Sequence, residues 1–261
     1  MSAFPLFIRK PYAKLKWFAK NYSRIKYDSE IFNNIQGQLT YNTDGLATSN
    51  NCDFINEPRF AKAYEAAKAT NPWPDFTLMW RIHIVCWLAE NVRHLVGDFV
   101  ECGVNTGAYA RAIIEYINFN STGKTFFLLD TFQGLDPAYV TEEEKEAGIL
   151  NYKYRDTYEE VLKTFSPFKT KIIKGSVPET LAECKTEKIC YLSIDKNNVV
   201  PEIAAVKYFW DKIVKGGVLI LDDYGFPMHM QQKIAFDKFA GEVHHEILSL
   251  PTGQGLIIKN H

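Results

Sequence analysis

The feature that most constrains the fold is a strand–turn–helix unit over residues 98–118. Phe99 and Val100 belong to an apolar run that predicts a buried strand, and this strand passes directly into a turn with Gly103 and Gly107. Apolar residues at helical spacing follow the turn. Open α/β sheets bind nucleotide-like ligands in the crevice at the carboxyl ends of their strands. The unit therefore predicts an α/β fold with a ligand site at this turn.

Apolar runs and helical patterns alternate along the rest of the chain. The predicted strands span 98–102, 125–130, 170–174, 189–194, 217–221, 244–249 and 255–259. The predicted helices span 59–69, 76–95, 107–118, 156–165 and 200–213. The link between the last two strands is too short for a parallel crossover, so it demands an antiparallel hairpin. We therefore predict a Rossmann-like α/β fold with a seven-stranded, mostly parallel sheet, helices on both faces and a C-terminal antiparallel β-hairpin.

Charge and cysteine content limit the classes of function. The net charge is −1 and the pI is about 6.6, which gives no reason to expect a nucleic-acid partner. The five cysteines are scattered, odd in number and without CxxC spacing, so they predict free thiols in a reducing compartment. No apolar run approaches membrane-spanning length and no signal peptide is evident. We expect a cytoplasmic protein.

The N-terminal segment, residues 1–27, is basic and rich in aromatic residues. Such a segment can lie on an acidic membrane surface. The interpretation we favour is an arm that packs on its own domain or on a partner subunit, and we expect a homo-oligomer. Residues 28–58 are polar and predict a loop. We divide the chain into an N-terminal arm and helical extension over 1–75, which provides lid, acceptor or dimer contacts, and a ligand-binding domain over 76–261.

Two acids at strand ends favour a nucleoside ligand. Asp130 closes the second predicted strand, where an acid can accept hydrogen bonds from a ribose diol. NAD enzymes and S-adenosylmethionine enzymes share this device, but the dinucleotide pattern G-x-G-x-x-G is missing and only Gly103-x-x-x-Gly107 is present. Glu101 would repel a pyrophosphate and suits the amino group of a methionine moiety. The alternatives are a nicotinamide enzyme, or a Glu101 that merely meets a helix N-terminus.

Three further acids follow the fourth and fifth parallel strands. Asp195 ends one strand, and Asp222 and Asp223 end the next. These ends lie side by side in a parallel sheet, and like charges so close repel unless something neutralises them. A hard divalent cation such as Mg²⁺, held by oxygen ligands, would do so and would activate a hydroxyl. The alternatives are that Asp222 caps the following turn and that Asp223 binds a surface lysine.

The long polar stretch over 131–155 follows the strand that ends in Asp130, so we expect it to border the site. Loops of this length beside a site are often lids. An ordinary surface excursion with one helix is the other interpretation, and the sequence does not decide between them.

Five segments resemble, in matching order, the motifs of the macrocin O-methyltransferase family, which belongs to the class I S-adenosylmethionine-dependent methyltransferases. The segments are residues 97–104, 129–135, 174–181, 194–195 and 216–225. The likeness runs from about residue 76 to the end of the chain. The family methylates hydroxyls, mostly on sugars of glycosylated natural products, and several members use Mg²⁺.

The resemblance implies an S-adenosylmethionine-dependent O-methyltransferase, assisted by Mg²⁺, that methylates a hydroxyl of a sugar or glycosylated small molecule. The cofactor-binding residues it implies are Glu101, Gly103, Val104, Gly107, Asp130, Thr131, Ser176 and Asp195, with Ser176 near the adenine. The metal ligands it implies are Asp195, Asp222 and Asp223.

One departure from the family pattern concerns catalysis. The family usually carries Asp-x-Asp after the fourth strand, where this chain has Asp195-Lys196-Asn197. The second acid is a proposed general base, and an amide cannot replace a carboxylate as proton acceptor. One interpretation is that the metal alone activates the hydroxyl. Another is that His229, beyond the Asp-Asp-Tyr turn, acts as base, so the candidate catalytic residues are Asp195 and His229. The alternative function is an S-adenosylmethionine-binding protein with lost or altered catalysis.

Overall fold

The structure of the protein, a computed structural model, describes residues 38–261. Its strands are β1 (Tyr41–Thr43), β2 (Leu46–Thr48), β3 (Asp98–Cys102), β4 (Phe126–Asp130), β5 (Thr170–Lys174), β6 (Ile189–Ile194), β7 (Ile213–Leu221), β8 (Leu248–Ser249) and β9 (Gly255–Ile258). Its α-helices are α1 (Pro58–Lys68), α2 (Met79–Val92), α3 (Ala108–Ile117), α4 (Glu142–Glu146), α5 (Tyr158–Phe165), α6 (Val199–Phe209) and α7 (Met230–Glu242). Short 3₁₀ helices cover Asp53–Asn56, Phe119–Thr122, Pro137–Tyr139, Ile149–Asn151, Leu181–Glu183, Trp210–Lys212 and Pro227–His229. None of these helices is long and apolar enough to cross a membrane.

The basic N-terminal segment, residues 1–27, lies outside the described residues, so its membrane and subunit-contact interpretations both stay predictions. Contacts along the chain form two compact units that divide between Cys52 and Asp53. The boundary predicted at residue 75 separates regions with different expected functions, not two compact units, and it also stays a prediction.

In the first unit, β1 and β2 pair as an antiparallel hairpin. Asp44 and Gly45 form its turn with positive φ angles of 53° and 73°, as in the two-residue Asp-Gly turn that joins such strands. The predicted loop over 28–58 is therefore wrong for residues 41–48. The turn signal was present, but each strand is only three residues long and neither forms an apolar run.

The second unit is built on a seven-stranded sheet with the order β5-β4-β3-β6-β7-β9-β8. Strands β3 to β7 are parallel, and β9 is antiparallel to both β7 and β8. The predicted fold class, including the C-terminal hairpin, is confirmed. The strand order reverses between β3 and β6, and this arrangement opens a crevice at the carboxyl ends of the strands.

Both faces of the sheet are covered by helices. On one face, Val100 and Leu129 belong to a buried core that includes residues of α6 and α7. On the other face, Phe99 stacks on Tyr191 with 5.0 Å between ring centroids, and α2 contacts β6 and β7. Side chains alternate between faces along a strand, so Glu101 points to the same face as Phe99. Glu101 therefore lies on the face of the sheet opposite α6 and α7.

Helix α7 was not predicted from the sequence. Its buried residues Phe236 and Phe239 follow a helical period, but the first position of that stripe is Gln232, which is polar and only 2% exposed. A buried glutamine interrupts the apolar pattern on which a sequence-based prediction depends.

Two strands differ from their predicted bounds. Strand β7 begins earlier than predicted, at Ile213, and runs through Gly216 and Gly217, which hid its first half in the sequence. The predicted strand over 244–249 is limited to Leu248–Ser249. His244 lies in the turn just after α7 and has a φ of 55°. This left-handed conformation is incompatible with the start of an extended strand.

Gly103 is required where the loop after β3 crosses the end of β6. Its φ is +98°, and an added Cβ would lie 1.6 Å from the backbone oxygen of Asp195. We expect Gly103→Ala to lower the free energy of unfolding by about 2–4 kcal/mol, because strain and steric overlap add. The matched control is Gly123→Ala, where φ is +78° but nothing lies within 4 Å of the added Cβ, so we expect a loss of about 1–2 kcal/mol. Equal losses in urea unfolding would contradict this role of Gly103.

Candidate active site

The carboxyl ends of neighbouring parallel strands bring acids to one edge of the sheet. Glu101 lies in β3 and Asp130 ends β4, while Asp195 follows β6 and Asp222 follows β7. These strands are neighbours in the order β4-β3-β6-β7. The side-by-side placement that the sequence predicts for these strand ends is therefore present in the fold.

Glu101 has a buried oxygen without a partner. Glu101 is 2% exposed, and its Oε2 makes no hydrogen bond in the structure. Burial raises the pKa of Glu101, and the nearby charges of Asp130 and Asp222 raise it further. Leaving a buried polar atom unpaired costs about 1–3 kcal/mol. This oxygen is therefore suited to a cationic or hydrogen-bond-donating group of a ligand.

Asp130 holds the loops that follow β3 and β4. Its Oδ2 accepts hydrogen bonds from the N–H groups of Val104 at 2.5 Å and Asn105 at 2.9 Å. Its Oδ1 accepts from the N–H of Phe132 at 2.8 Å. Burial raises the pKa of Asp130, but Lys196 and these N–H groups outweigh burial, so the net pKa is lowered. Both carboxylate oxygens thus accept hydrogen bonds from the loop backbone, and the contact of Asp130 with a ribose stays a prediction.

Val104 and Gly107 shape the turn after β3. The N–H of Gly107 donates to the carbonyl of Val104 at 2.7 Å. Gly107 has a φ of +85°, and a Cβ there would lie 2.4 Å from the ring of Phe165. The glycine thus lets the start of α3 pack closely on α5. Direct contacts of Val104 and Gly107 with a cofactor stay predictions.

Thr157 secures the same two loops and was missed by sequence analysis. It is 1% exposed, its hydroxyl donates to the carbonyl of Asn105 at 2.8 Å, and its N–H donates to the carbonyl of Phe132 at 3.0 Å. Asn105 and Phe132 both have left-handed φ angles, 50° and 58°, which cost a residue with a side chain about 1–2 kcal/mol. A threonine just before a helix signals only a possible cap in the sequence, so nothing there revealed this role.

We expect Thr157→Val to weaken binding of S-adenosylhomocysteine by about 5- to 20-fold. The substitution keeps the shape of the side chain but leaves the Asn105 carbonyl without its hydroxyl partner, and an unpaired buried group costs about 1–3 kcal/mol. Thr157→Ser keeps the hydroxyl and is the matched control. Calorimetric titration of both variants measures the effect, and wild-type affinity in Thr157→Val would remove Thr157 from the site.

A cleft opens beside these loops. Thr131 and Tyr154, from the long segment after β4, line it together with Ser176 and Asp195. The hydroxyl of Ser176 donates to Asp136 at 2.5 Å. The stretch over 131–155 therefore borders the site, as expected, and it contains the short helix α4 with a capping box at its start. The lid and surface-segment interpretations of this stretch both stay predictions.

Asp195, Asp222 and Asp223 come together in an acidic cluster. Each offers a carboxylate oxygen, and these oxygens lie within 4.8 Å of one another. Burial raises the pKa of Asp195, and Asp222 and Asp223 raise it further. Burial and Asp222 also raise the pKa of Asp223 to about 6, against the opposing charges of His229 and Arg81. The cluster is therefore short of positive charge.

Arg81, on helix α2, is a partner of this cluster that the sequence did not reveal. Its Nη1 lies 2.6 Å from Oδ2 of Asp222 and 3.5 Å from Oδ1 of Asp223, and its side chain is 8% exposed. The hydroxyl of Tyr109 and the amide of Gln254 donate to the other oxygen of Asp222 at 2.9 and 3.0 Å. A buried arginine on α2, rather than a surface lysine, thus faces Asp223, and Asp222 is held by side chains from three separate segments.

Asn197, which stands where the resembled family has its second acid, is fixed to Asp195. Its Nδ2 donates to Oδ1 of Asp195 at 2.9 Å. The N–H groups of Lys196 and Asn197 donate to Oε1 of buried Glu202 at 2.9 and 3.1 Å, and Gln232 donates to the same oxygen at 2.9 Å. The amide thus stabilises ionised Asp195 where a second carboxylate would repel it.

His229 lies at the acidic cluster, as proposed for a candidate base. Its Nε2 is 3.6 Å from Oδ2 of Asp223, and its side chain is 12% exposed. His229 also lines a second cavity, which lies between the segment around α4 and residues 227–232. Its predicted catalytic role stays a prediction.

Comparisons with known proteins show the family of the chain and its fold. Residues 79–249 match the family model described as Macrocin-O-methyltransferase (TylF). No curated protein sequence matches the chain. The solved structure of the O-methyltransferase NovP is 19% identical, with 80% of this chain and 98% of NovP covered and a TM-score of 0.63.

Two structures of CalS11 are also similar. The first, described as a calicheamicin methyltransferase, is 18% identical and covers 77% of this chain and 93% of its own, with a TM-score of 0.55. The second, the apo form, is described as a TDP-rhamnose 3'-O-methyltransferase in calicheamicin biosynthesis. It is 18% identical and covers 77% of this chain and 95% of its own, with a TM-score of 0.50. At these identities the structures show the fold.

Proposed function

Because the chain belongs to the macrocin-O-methyltransferase family and is thus an S-adenosylmethionine-dependent O-methyltransferase, we propose that it methylates, with the help of Mg²⁺, a hydroxyl of a sugar or glycosylated small molecule. The observation that carries this proposal is the meeting of Asp195, Asp222 and Asp223 beside the cleft of the donor. Residues 76–261 would form the catalytic domain. A cytoplasmic location is part of the proposal, since all five cysteines are free.

The residues at the crevice fit the donor. Oε2 of Glu101 is buried and unpaired, which suits the ammonium group of a methionine moiety. Gly103 and Gly107 carry no side chains that would keep a ligand from the backbone at either end of the turn after β3. Asp130 and Thr131 border the expected ribose position and Ser176 the adenine side. S-adenosylmethionine supplies a methyl group already activated by the positive charge on sulfur. The protein then has to orient the acceptor and hold its proton.

The acidic cluster fits a divalent cation. Three carboxylates offer oxygen ligands, which Mg²⁺ prefers, and Arg81 compensates one of their charges. When all three acids are ionised, the remaining charge matches that of one Mg²⁺. The ion would lower the pKa of an acceptor hydroxyl that it binds. Asp195, Asp222 and Asp223 would hold it, with Asn197 keeping Asp195 oriented.

His229 is the candidate proton acceptor, because the amide of Asn197 cannot accept a proton as a carboxylate would. We expect His229→Gln to lower kcat by about 100-fold or more, within the range that a positioned base contributes, without changing the affinity for S-adenosylhomocysteine. The matched control is His94→Gln, at an exposed position outside the site. Initial rates with saturating donor measure the effect. A kcat within a few-fold of wild type would instead favour activation of the hydroxyl by the metal alone.

The proposed function is tested by transfer of a deuterated methyl group from S-adenosylmethionine to a panel of glycosides, followed by mass spectrometry. We expect transfer that stops when EDTA removes the metal and returns with Mg²⁺. Transfer that is indifferent to EDTA would remove the metal from the proposal. Donor binding without transfer to any acceptor would favour the alternative that Asn197 suggests, a donor-binding protein with lost or altered catalysis.

A further inference from the structure

A second cavity reaches the acidic cluster separately from the donor cleft. It lies between the segment around α4 and residues 227–232, and its empty space of about 750 Å³ includes part that is open to solvent. His229 lines it, and Nε2 of His229 is 3.6 Å from Asp223. Asp195 lines the donor cleft, and the oxygens of Asp195 and Asp223 are within 4.8 Å of each other. The two cavities therefore approach the cluster from different sides, with Asp195 lining one and His229 lining the other, and a transfer between two bound molecules needs such an arrangement.

The mouth of this second cavity is apolar and exposed. Met228 is 64% exposed, Tyr152 is 51% exposed and Met230 is 49% exposed, and the hydroxyl of Tyr152 lies 3.7 Å from the sulfur of Met228. Large apolar side chains grouped at the surface mark binding sites, and flexible methionines adapt to ligands of irregular shape. An aromatic or hydrocarbon group is therefore the expected contact at the mouth.

The charge of the lining selects against anions. Glu143 and Glu144 line the cavity, and none of the described residues that line it is a lysine or an arginine. Oε1 of Glu144 already accepts a hydrogen bond from the N–H of Val199 at 2.7 Å, whereas Glu143 is exposed. Phosphate groups are normally bound by arginine or lysine side chains. The first turn of α7 also lines the cavity, but the acidic wall beside it would repel a phosphate.

We propose that this second cavity binds the acceptor as an uncharged glycoside, with its apolar aglycone on Tyr152, Met228 and Met230, and that it rejects a sugar bearing a nucleoside diphosphate. This inference rests on the proposed methyltransferase function and adds the acceptor class to it. The reaction that supplies such an acceptor is a glycosyl transfer, so methylation follows attachment of the sugar.

The test observes the cavity directly by NMR of protein labelled with ¹³C at the methionine methyl groups. The chain has four methionines, of which Met228 and Met230 line the cavity and Met79 lies outside it. Met228→Leu and Met230→Leu assign the signals. The titrants are a panel of p-nitrophenyl glycosides, including the α-L-rhamnoside, and TDP-L-rhamnose, each added with S-adenosylhomocysteine and Mg²⁺.

We expect the signals of Met228 and Met230, but not of Met79, to shift with an aryl glycoside at a concentration at least 10-fold lower than with TDP-L-rhamnose. Glu143→Lys should reduce that preference about 5-fold or more. Glu142→Lys is the matched control, because Glu142 lies on the same helix, pairs with Lys145 and does not line the cavity.

Three outcomes would overturn the inference: a preference for TDP-L-rhamnose, no shift at either methionine with any titrant, or equal effects of the two glutamate variants. Calorimetric titration with S-adenosylhomocysteine runs in parallel. If S-adenosylhomocysteine binds but the methionine signals do not shift with any titrant, only the acceptor cavity is rejected. If the wild-type protein does not bind S-adenosylhomocysteine, the proposed function itself is rejected.

Discussion

Asp195→Asn is expected to lower kcat by about 1000-fold while the protein stays folded. The side chain lines the cleft and belongs to the acidic cluster, so the variant removes one of the three proposed metal ligands without changing the shape of the residue. Loss of the charge stabilisation that a metal supplies is worth several kcal/mol, and each 1.36 kcal/mol is tenfold in rate. Methyl transfer measured with saturating donor and Mg²⁺ gives kcat.

The fold should tolerate this change well. Burial and two neighbouring acids raise the pKa of Asp195, so replacing it by a neutral side chain relieves repulsion and should leave the free energy of unfolding unchanged or higher. Asp211→Asn, the same substitution at an exposed position, controls for effects of the chemical change alone. Turnover equal to that of Asp211→Asn would exclude Asp195 from the reaction.

Arg81→Met is expected to lower the free energy of unfolding by about 3–5 kcal/mol in the presence of EDTA. Arg81 is buried and bound to Asp222 at 2.6 Å, and removing one partner of a buried ion pair leaves the other charge uncompensated. Methionine keeps much of the volume of the arginine side chain, so the loss reports mainly on charge. Urea unfolding gives the value.

Mg²⁺ should return part of this stability to Arg81→Met, and more than it adds to the wild-type protein. An ion that binds only the folded state stabilises it, and the variant has more uncompensated negative charge to offer. Lys62→Met is the matched control, since Lys62 is exposed where it pairs with Glu115 and the variant should lose no more than about 1 kcal/mol. Equal stabilisation of wild type and Arg81→Met by Mg²⁺ would show that arginine and metal do not share the charge of the cluster.

The sheet could be predicted from the sequence because its central parallel strands are buried on both faces and appear as short apolar runs. Strands β3 and β6 match their predicted bounds. The acids at the strand ends could be predicted for the same reason, since parallel topology alone brings those ends together. Helix α7 could not, because its buried stripe includes Gln232, whose hydrogen bond to Glu202 replaces an apolar contact.

The partners of the acids could not be predicted, because the contacts join residues far apart in the chain. Arg81 precedes Asp222 by 141 positions, and nothing in the pattern of α2 distinguishes it from a solvent-exposed arginine. Thr157 acts through the backbone carbonyls of two residues with left-handed φ angles, which no side-chain pattern reveals. The sequence thus predicts where the acidic side chains lie, whereas only the folded structure shows which groups compensate their charge.

The hairpin of β8 and β9 carries a consequence for protein engineering. Gln254, in its connecting turn, is fully buried, and the hydroxyl of Thr252 donates to Oε1 of Gln254 at 3.0 Å, which orients the amide Nε2 toward Asp222. The hairpin at the edge of the sheet therefore also supplies a hydrogen-bond donor to the carboxylate of Asp222. Chimaeras that exchange this hairpin between relatives would alter the electrostatics of catalysis although every acidic residue stayed in place.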